Sequence, residues 1–123
     1  MDKQSKIILI SGPTASGKSN LAIKIAKKIN GEIINADSMQ VYKVLNILTA
    51  RPIKKHQENI KHHLYGVVDL KKNFSTGQWL KAAIKNIKVI RKRKKIPILV
   101  GGTGLYFQLQ FLAIALLKIF YLN

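Results

Sequence analysis

The stretch Ser11-Gly12-Pro13-Thr14-Ala15-Ser16-Gly17-Lys18-Ser19 decides the reading of the chain, because from Gly12 onward it follows the pattern G-x-x-x-x-G-K-[ST]. Its surroundings are those the pattern needs. Lys6-Ile7-Ile8-Leu9-Ile10 in front is a short apolar, β-branched run that reads as a buried strand, and Leu21-Ala22-Ile23-Lys24-Ile25-Ala26-Lys27-Lys28-Ile29 behind reads as a helix. Strand, glycine-bearing turn and helix in that order form a P-loop. Gly12 and Gly17 let the turn tighten until successive backbone N–H groups converge, and the positive end of the helix dipole adds to them. The natural occupant is phosphate, in many proteins that of ATP. Gly12, Pro13, Thr14, Ala15, Ser16, Gly17, Lys18 and Ser19 are therefore the candidate diphosphate- or nucleotide-binding set. Lys18 would reach the terminal phosphates as a point charge, and the Ser19 hydroxyl would ligate Mg²⁺.

Beyond that helix, Asn30-Gly31 reads as its C-cap and Glu32-Ile33-Ile34-Asn35-Ala36 as a second short strand. Its end delivers Asp37-Ser38-Met39-Gln40 to the sheet edge at which ligands of open α/β folds bind, the edge that also carries the P-loop. Asp37 is one of only five acidic residues. A carboxylate there faces Mg²⁺, Lys18 or a substrate proton, or else it N-caps a following turn.

From Val41 to Ile60 the periodicity fades, and Thr49-Ala50-Arg51-Pro52 marks a turn or helix end. Lys54, Lys55, His56, Lys61, His62 and His63 form a basic, His-rich loop with too few ligands at suitable spacing for a metal. His63-Leu64-Tyr65-Gly66-Val67-Val68-Asp69 is a further strand or loop whose terminal acid faintly resembles a Walker B. Ser75-Thr76-Gly77-Gln78 has capping-box spacing. Leu80, Ala83, Ile84, Ile87 and Ile90 then recur at three- and four-residue intervals, with Lys81, Lys85, Lys88 and Arg91 on other faces. The run Arg91-Lys92-Arg93-Lys94-Lys95 reads as cations complementing a helix C-terminus, or as a contact for a nucleic-acid backbone. Pro97-Ile98-Leu99-Val100 is another strand, with the glycine-rich turn Gly101-Gly102-Thr103-Gly104 directly after it.

Strands alternating with helices predict an α/β fold, a P-loop NTPase-like parallel sheet with right-handed crossovers and flanking helices. Residues 1–107 form this domain, and residues 108–123 are an apolar tail of different character. The tail is shorter and more interrupted than a membrane span, so a buried terminal helix or an exposed, aggregation-prone segment is expected rather than a membrane anchor.

Bulk composition narrows the class. A chain of 123 residues supports one domain at most, and 47% apolar against 22% charged content excludes disorder as the default. The absence of cysteine excludes disulfides and thiolate metal sites. The first strand begins within a few residues of Met1 with no apolar signal region, so a cytoplasmic location is expected. A formal charge of +17 predicts attraction to polyanions. Most of the cations are Lys, and Ile and Asn are abundant too, a bias that an AT-rich genome gives any protein, so charge alone supports a nucleic-acid partner only weakly.

Taken together, the motifs resemble those of the tRNA dimethylallyltransferases, or tRNA isopentenyltransferases. The blocks are Gly12 to Ser19, Asn35-Ala36-Asp37-Ser38-Met39-Gln40-Val41-Tyr42-Lys43, Thr49-Ala50-Arg51-Pro52, His62-His63-Leu64, and Pro97-Ile98-Leu99-Val100-Gly101-Gly102-Thr103-Gly104-Leu105-Tyr106. They occur in that family's order across about residues 4 to 107.

The resemblance implies Mg²⁺-dependent transfer of a dimethylallyl group from dimethylallyl diphosphate to the N6 amine of the adenosine next to the tRNA anticodon. The P-loop would hold the diphosphate, Lys18 would neutralise it as it leaves, and Ser19 with Asp37 would hold the metal. Asp37 would serve as base for the adenine amine, and Ser38, Met39, Gln40 and Thr103 would line the tRNA site, Thr103 also counting with Asp37 and Lys18 among the catalytic set. Three departures accompany the match. Val44, Asn46 and Leu48 replace a usual Gly-x-Asp-x-Gly, Lys61 replaces a proline, and family members continue into a helical insertion and an arginine motif, so the sequence reads as a C-terminally truncated member.

Two other classes fit parts of the pattern. A small-molecule kinase would use the same loop with Asp37 as base, but it needs lid arginines and the chain has only Arg51, Arg91 and Arg93. A non-catalytic RNA-binding remnant would need only the positive charge.

Overall fold

In the computed structural model, residues 6–13, 17–37, 60–65, 75–102 and 104–120 are described. Their elements are β1 (Ile8–Ser11), α1 (Lys18–Ile29), β2 (Gly31–Asn35), β3 (His62–His63), α2 (Thr76–Lys92), β4 (Ile96–Gly101) and α3 (Leu105–Phe120). The strands form one parallel sheet in the order β1-β4-β2-β3. β2 and β4 occupy its middle and are buried along their whole length, as expected of strands covered on both faces.

Strand alternation sorts the core into two layers. Ile33 and Ile98 pack with Ala22, Ile23 and Ala26 of α1 on one face. Their neighbours Ile34 and Leu99 pack with Trp79, Ala83, Ile87 and Ile90 of α2 and with Leu105 and Leu112 of α3 on the other. The result is helix, sheet and helix in three layers, the α/β architecture expected from the sequence.

Several local expectations are corrected. β1 is not a buried strand: it pairs only with β4 among the described strands, Ile10 alone of its residues is buried, and Leu9 is 48% exposed. Of the stretch His63 to Asp69, expected as a strand or loop, His63 joins His62 in a two-residue strand and Leu64 leaves the extended region at φ 67°, while residues 66–69 lie outside the described residues. At the end of α1 it is Asn30, at φ 59°, that takes the left-handed cap and donates its N–H to the Ala26 carbonyl. Gly31 is required for a different reason. A Cβ there would stand 2.7 Å from Ile98 Cδ1 and 2.9 Å from the Ile96 carbonyl oxygen, so only glycine lets β2 approach β4.

The capping box of α2 is present in both directions: Ser75 N–H donates to Gln78 Oε1 at 2.8 Å and Gln78 N–H donates to Ser75 Oγ at 3.2 Å. Its core face is Trp79, Ala83, Ile87 and Ile90, while Leu80 and Ile84 are half-buried. α3 runs without a break across residues 107 and 108, burying Leu112 while leaving Phe111 and Ile114 exposed. Among the described residues no helix is long and apolar enough to cross a membrane.

Candidate active site

Parallel strands bring all their carboxyl ends to one edge, and that edge collects the described members of the expected site. Ser11 ends β1 and donates its Oγ–H to the Gly102 carbonyl at 2.9 Å, while Gly12 N–H donates to the Gly101 carbonyl at 3.3 Å. The entry to the P-loop is thereby fastened to the glycine turn after β4. Gly17, at φ 83°, adopts the left-handed conformation that glycine alone takes without strain, and α1 begins directly after it.

No acidic residue lies in the first turn of α1. Its N-terminal N–H groups and dipole are therefore available to an anion. Lys18 is buried at 8% exposure, and its Nζ donates to the Gly12 carbonyl at 2.7 Å, closing the ammonium across the base of the loop. Ser19, half-buried, follows in the same turn.

Asp37 emerges from the end of β2 beside β4. Its Oδ2 lies 3.9 Å from where a Cβ on Gly102 would stand, so carboxylate, glycine turn and P-loop entry are contiguous. The backbone of Asp37 is held by Asn35: Asp37 N–H donates to Asn35 Oδ1 and Asn35 Nδ2 donates to the Asp37 carbonyl, both at 2.8 Å. The same Nδ2 reaches the Leu64 carbonyl at 2.9 Å, and Trp79 Nε1–H donates to the Asn35 carbonyl at 2.8 Å. Asn35 thus ties the carboxylate-bearing segment to the end of β3 through its side chain and to α2 through its main-chain carbonyl. Sequence reading passed over Asn35, although an amide ending an apolar strand was a visible signal.

Tyr65 was missed as well. Its hydroxyl is pushed far above the usual tyrosine range, first by burial and then by the negative charge of Asp37, so it stays protonated. His62 stacks edge-on against it with ring centroids 5.6 Å apart. Burial chiefly depresses the His62 pKa, with a smaller push from His63, against a raising contact to the Ile60 carbonyl at 2.8 Å that requires the proton on Nδ1.

At the opposite end of β2, Glu32 is fully buried and receives Arg93 Nε at 2.8 Å and Nη2 at 2.6 Å, together with His63 Nε2 at 2.8 Å. Burial pushes its carboxyl up, but the Arg93 and His63 hydrogen bonds and charges outweigh that and hold it at about 2. Arg93 is thereby a structural cation, and His63 shares its carboxylate partner. One of the three arginines on which a kinase lid would depend is already engaged.

Thr14, Ala15, Ser16, Ser38, Met39, Gln40 and Thr103 lie outside the described residues. Among the described residues no three His, Cys, Asp or Glu side chains gather as a metal cluster. Mg²⁺ needs less: one or two carboxylates with phosphate and water oxygens suffice. The Ser19 hydroxyl and the Asp37 carboxylate are hard oxygen donors of the kind it takes.

The fold is that of an α/β protein of the P-loop-like class, with the Asp37 carboxylate beside the glycine turn that fastens the loop entry. A family model described as IPP transferase matches residues 40–116, more than half of the chain. The chain belongs to the IPP transferase family. It is 81% identical over 108 residues to a tRNA dimethylallyltransferase of Pelagibacter ubique, covering 88% of this chain and 34% of that protein. Against a tRNA isopentenylpyrophosphate transferase of Staphylococcus epidermidis the TM-score is 0.77 at 48% identity, over 87% of this chain and 35% of that one. A eukaryotic dimethylallyltransferase solved acting on tRNA gives 0.77 at 40% identity, over 86% and 26%. The chain spans about a third of the length of the curated relatives it matches.

Proposed function

We propose that this chain carries the diphosphate-binding and base-bearing part of a tRNA dimethylallyltransferase. The observation that supports it best is the meeting of Asp37 with the Gly101–Gly102 turn and the P-loop entry on one sheet edge. In the proposed reaction the N6 amine of the adenosine beside the tRNA anticodon forms a bond to C1 of dimethylallyl diphosphate. The C1–O bond breaks, diphosphate leaves with the electron pair, and the amine proton passes to Asp37.

Lys18 and the first turn of α1 hold the diphosphate and balance the charge that grows on it. Ser19 and Asp37 would hold Mg²⁺, which when bound supplies further charge neutralisation for the leaving group. Ser38, Met39, Gln40 and Thr103 contact the adenine, a loop base that is cheaper to extrude than a paired one. The P-loop serves diphosphate here, where in other proteins it serves ATP, and the setting is the cytoplasm.

The test is mass spectrometry of tRNA nucleosides after incubation with dimethylallyl diphosphate, Mg²⁺ and unmodified tRNA. A dimethylallylated adenosine that disappears with Asp37→Ala is expected. Folded protein that binds diphosphate yet forms no product would reject transfer by this chain.

A further inference from the structure

The outer face of α2 carries a feature the diphosphate chemistry does not use. Lys81, Lys85, Lys88 and Lys92 are all exposed and line, with Ile84 and Val89, a shallow open groove of about 390 Å³. Lys81, Lys85 and Lys92 each follow a core residue of the same helix by two positions and Lys88 precedes Ile90 by two, which at about 100° per residue places them opposite the buried face.

Helix α2 has no acidic residue at any position. The lysines therefore form like-charge pairs at three- and four-residue spacing, each destabilising the helix by a few tenths of a kcal/mol. A polyanion laid along the face relieves that repulsion.

The direction of the stripe adds to this. Trp79, near the start of α2, is hydrogen-bonded to Asn35 at the carboxyl end of β2, and Arg93, at its finish, is bonded to Glu32 near the amino end. The helix therefore runs antiparallel to β2, and the stripe climbs from Lys92 to Lys81 toward the edge that bears Asp37. Its charges step along the axis by about 6, 4.5 and 6 Å, a periodic row suited to successive backbone phosphates.

We infer that the Lys81, Lys85, Lys88 and Lys92 face of α2 is an RNA-backbone track that guides a strand toward the Asp37 edge. It reads phosphates and not bases, so it contributes affinity and orientation without sequence preference. The inference rests on the proposed tRNA substrate, but its test needs no turnover.

Binding of a short fluorescein-labelled single-stranded RNA is measured by anisotropy across a salt series. The native chain is compared with a variant carrying Lys81→Gln, Lys85→Gln, Lys88→Gln and Lys92→Gln. A control carries Lys6→Gln, Lys24→Gln, Lys28→Gln and Lys61→Gln, which removes the same charge from exposed positions elsewhere. Gln and Lys have similar helix propensity, and circular dichroism checks the fold. A third variant, with Arg at the four α2 positions, keeps the charge.

If the four lysines contact phosphates, the α2 variant loses about 3 from the slope of log K against log salt. The control then loses much less, and the Arg variant keeps the native slope. Equal losses in the α2 and control variants would show attraction by net charge alone and overturn the track. No RNA binding by the native chain would overturn it too. The nucleoside assay reports on transfer separately, so the failure of either idea is distinguishable from the failure of the other.

Discussion

Asn35 grips Asp37 from both sides: its Oδ1 accepts the Asp37 N–H and its Nδ2 donates to the Asp37 carbonyl, each at 2.8 Å. The residue that holds the carboxylate is thus two positions before it, at the end of a buried strand. Asn35→Ala leaves the Leu64 carbonyl and the Asp37 backbone without their partner in a buried site. The expected loss is about 2–3 kcal/mol, read by urea denaturation. Asn35→Asp keeps the acceptor for Asp37 N–H but sets a carboxylate against two carbonyl oxygens. Its destabilisation should be larger at neutral pH than in mild acid, where the protonated group can donate. Emission from Trp79, the only tryptophan, should change in both variants because its indole N–H bonds to the Asn35 carbonyl.

Glu32 makes stability fall in acid. Its carboxyl is lowered from an ordinary 4.5 to about 2 in the folded chain, so the unfolded chain binds the proton first as pH drops. The stabilisation is fully present above pH 4.5 and is lost as pH falls through about 2. Replacing Glu32 with Gln should flatten the stability curve over that window while costing stability at neutral pH, since Arg93 and His63 lose their shared anion. Chemical denaturation at a series of acidic pH values reads both effects. An unchanged acid limb would assign the acid lability to other carboxylates.

Lys94 occupies a position that favours glycine. At φ 59° it follows the C-cap of α2, with its N–H on the Arg91 carbonyl and the Lys95 N–H on the Ile90 carbonyl, the paired bonds of a Schellman ending. Lys94→Gly should stabilise the chain by about 0.5–1 kcal/mol by removing the left-handed Cβ penalty. A thermal melt showing a lower midpoint would contradict this.

Lys18 should dominate anion binding at the loop. Lys18→Met keeps the aliphatic stem but removes the ammonium, and a charged hydrogen bond of about 1.5–3 kcal/mol corresponds to roughly a 10- to 150-fold loss of affinity. Calorimetry with pyrophosphate and Mg²⁺ measures it. Binding that is unaffected would place the diphosphate elsewhere.

The amino-acid sequence by itself determined those features that neighbouring residues decide. The strand and helix flanking the loop before Lys18 follow from apolar periodicity, and the α2 start follows from the Ser75–Gln78 reciprocal cap. The alternation of apolar strands with amphipathic helices was enough to specify a parallel α/β sheet, because each pattern leaves one way to bury its faces.

Only the tertiary structure decided what depends on partners far apart in the chain. The basic run at the end of α2 is uniform in sequence, yet it is Arg93 whose guanidinium pairs with Glu32, 61 residues away, because that carboxylate is buried at the end of the helix and needs a cation. His62 and His63 show no strand period in two residues, and they become β3 because β2 offers its open side to them. The sequence had marked Asp37, but Asn35 and Tyr65 gained their meaning only when β3 and α2 folded against the carboxyl end of β2. Contacts between distant segments leave no periodic trace in either segment, so the clamp on Asp37 emerges from folding and not from pattern.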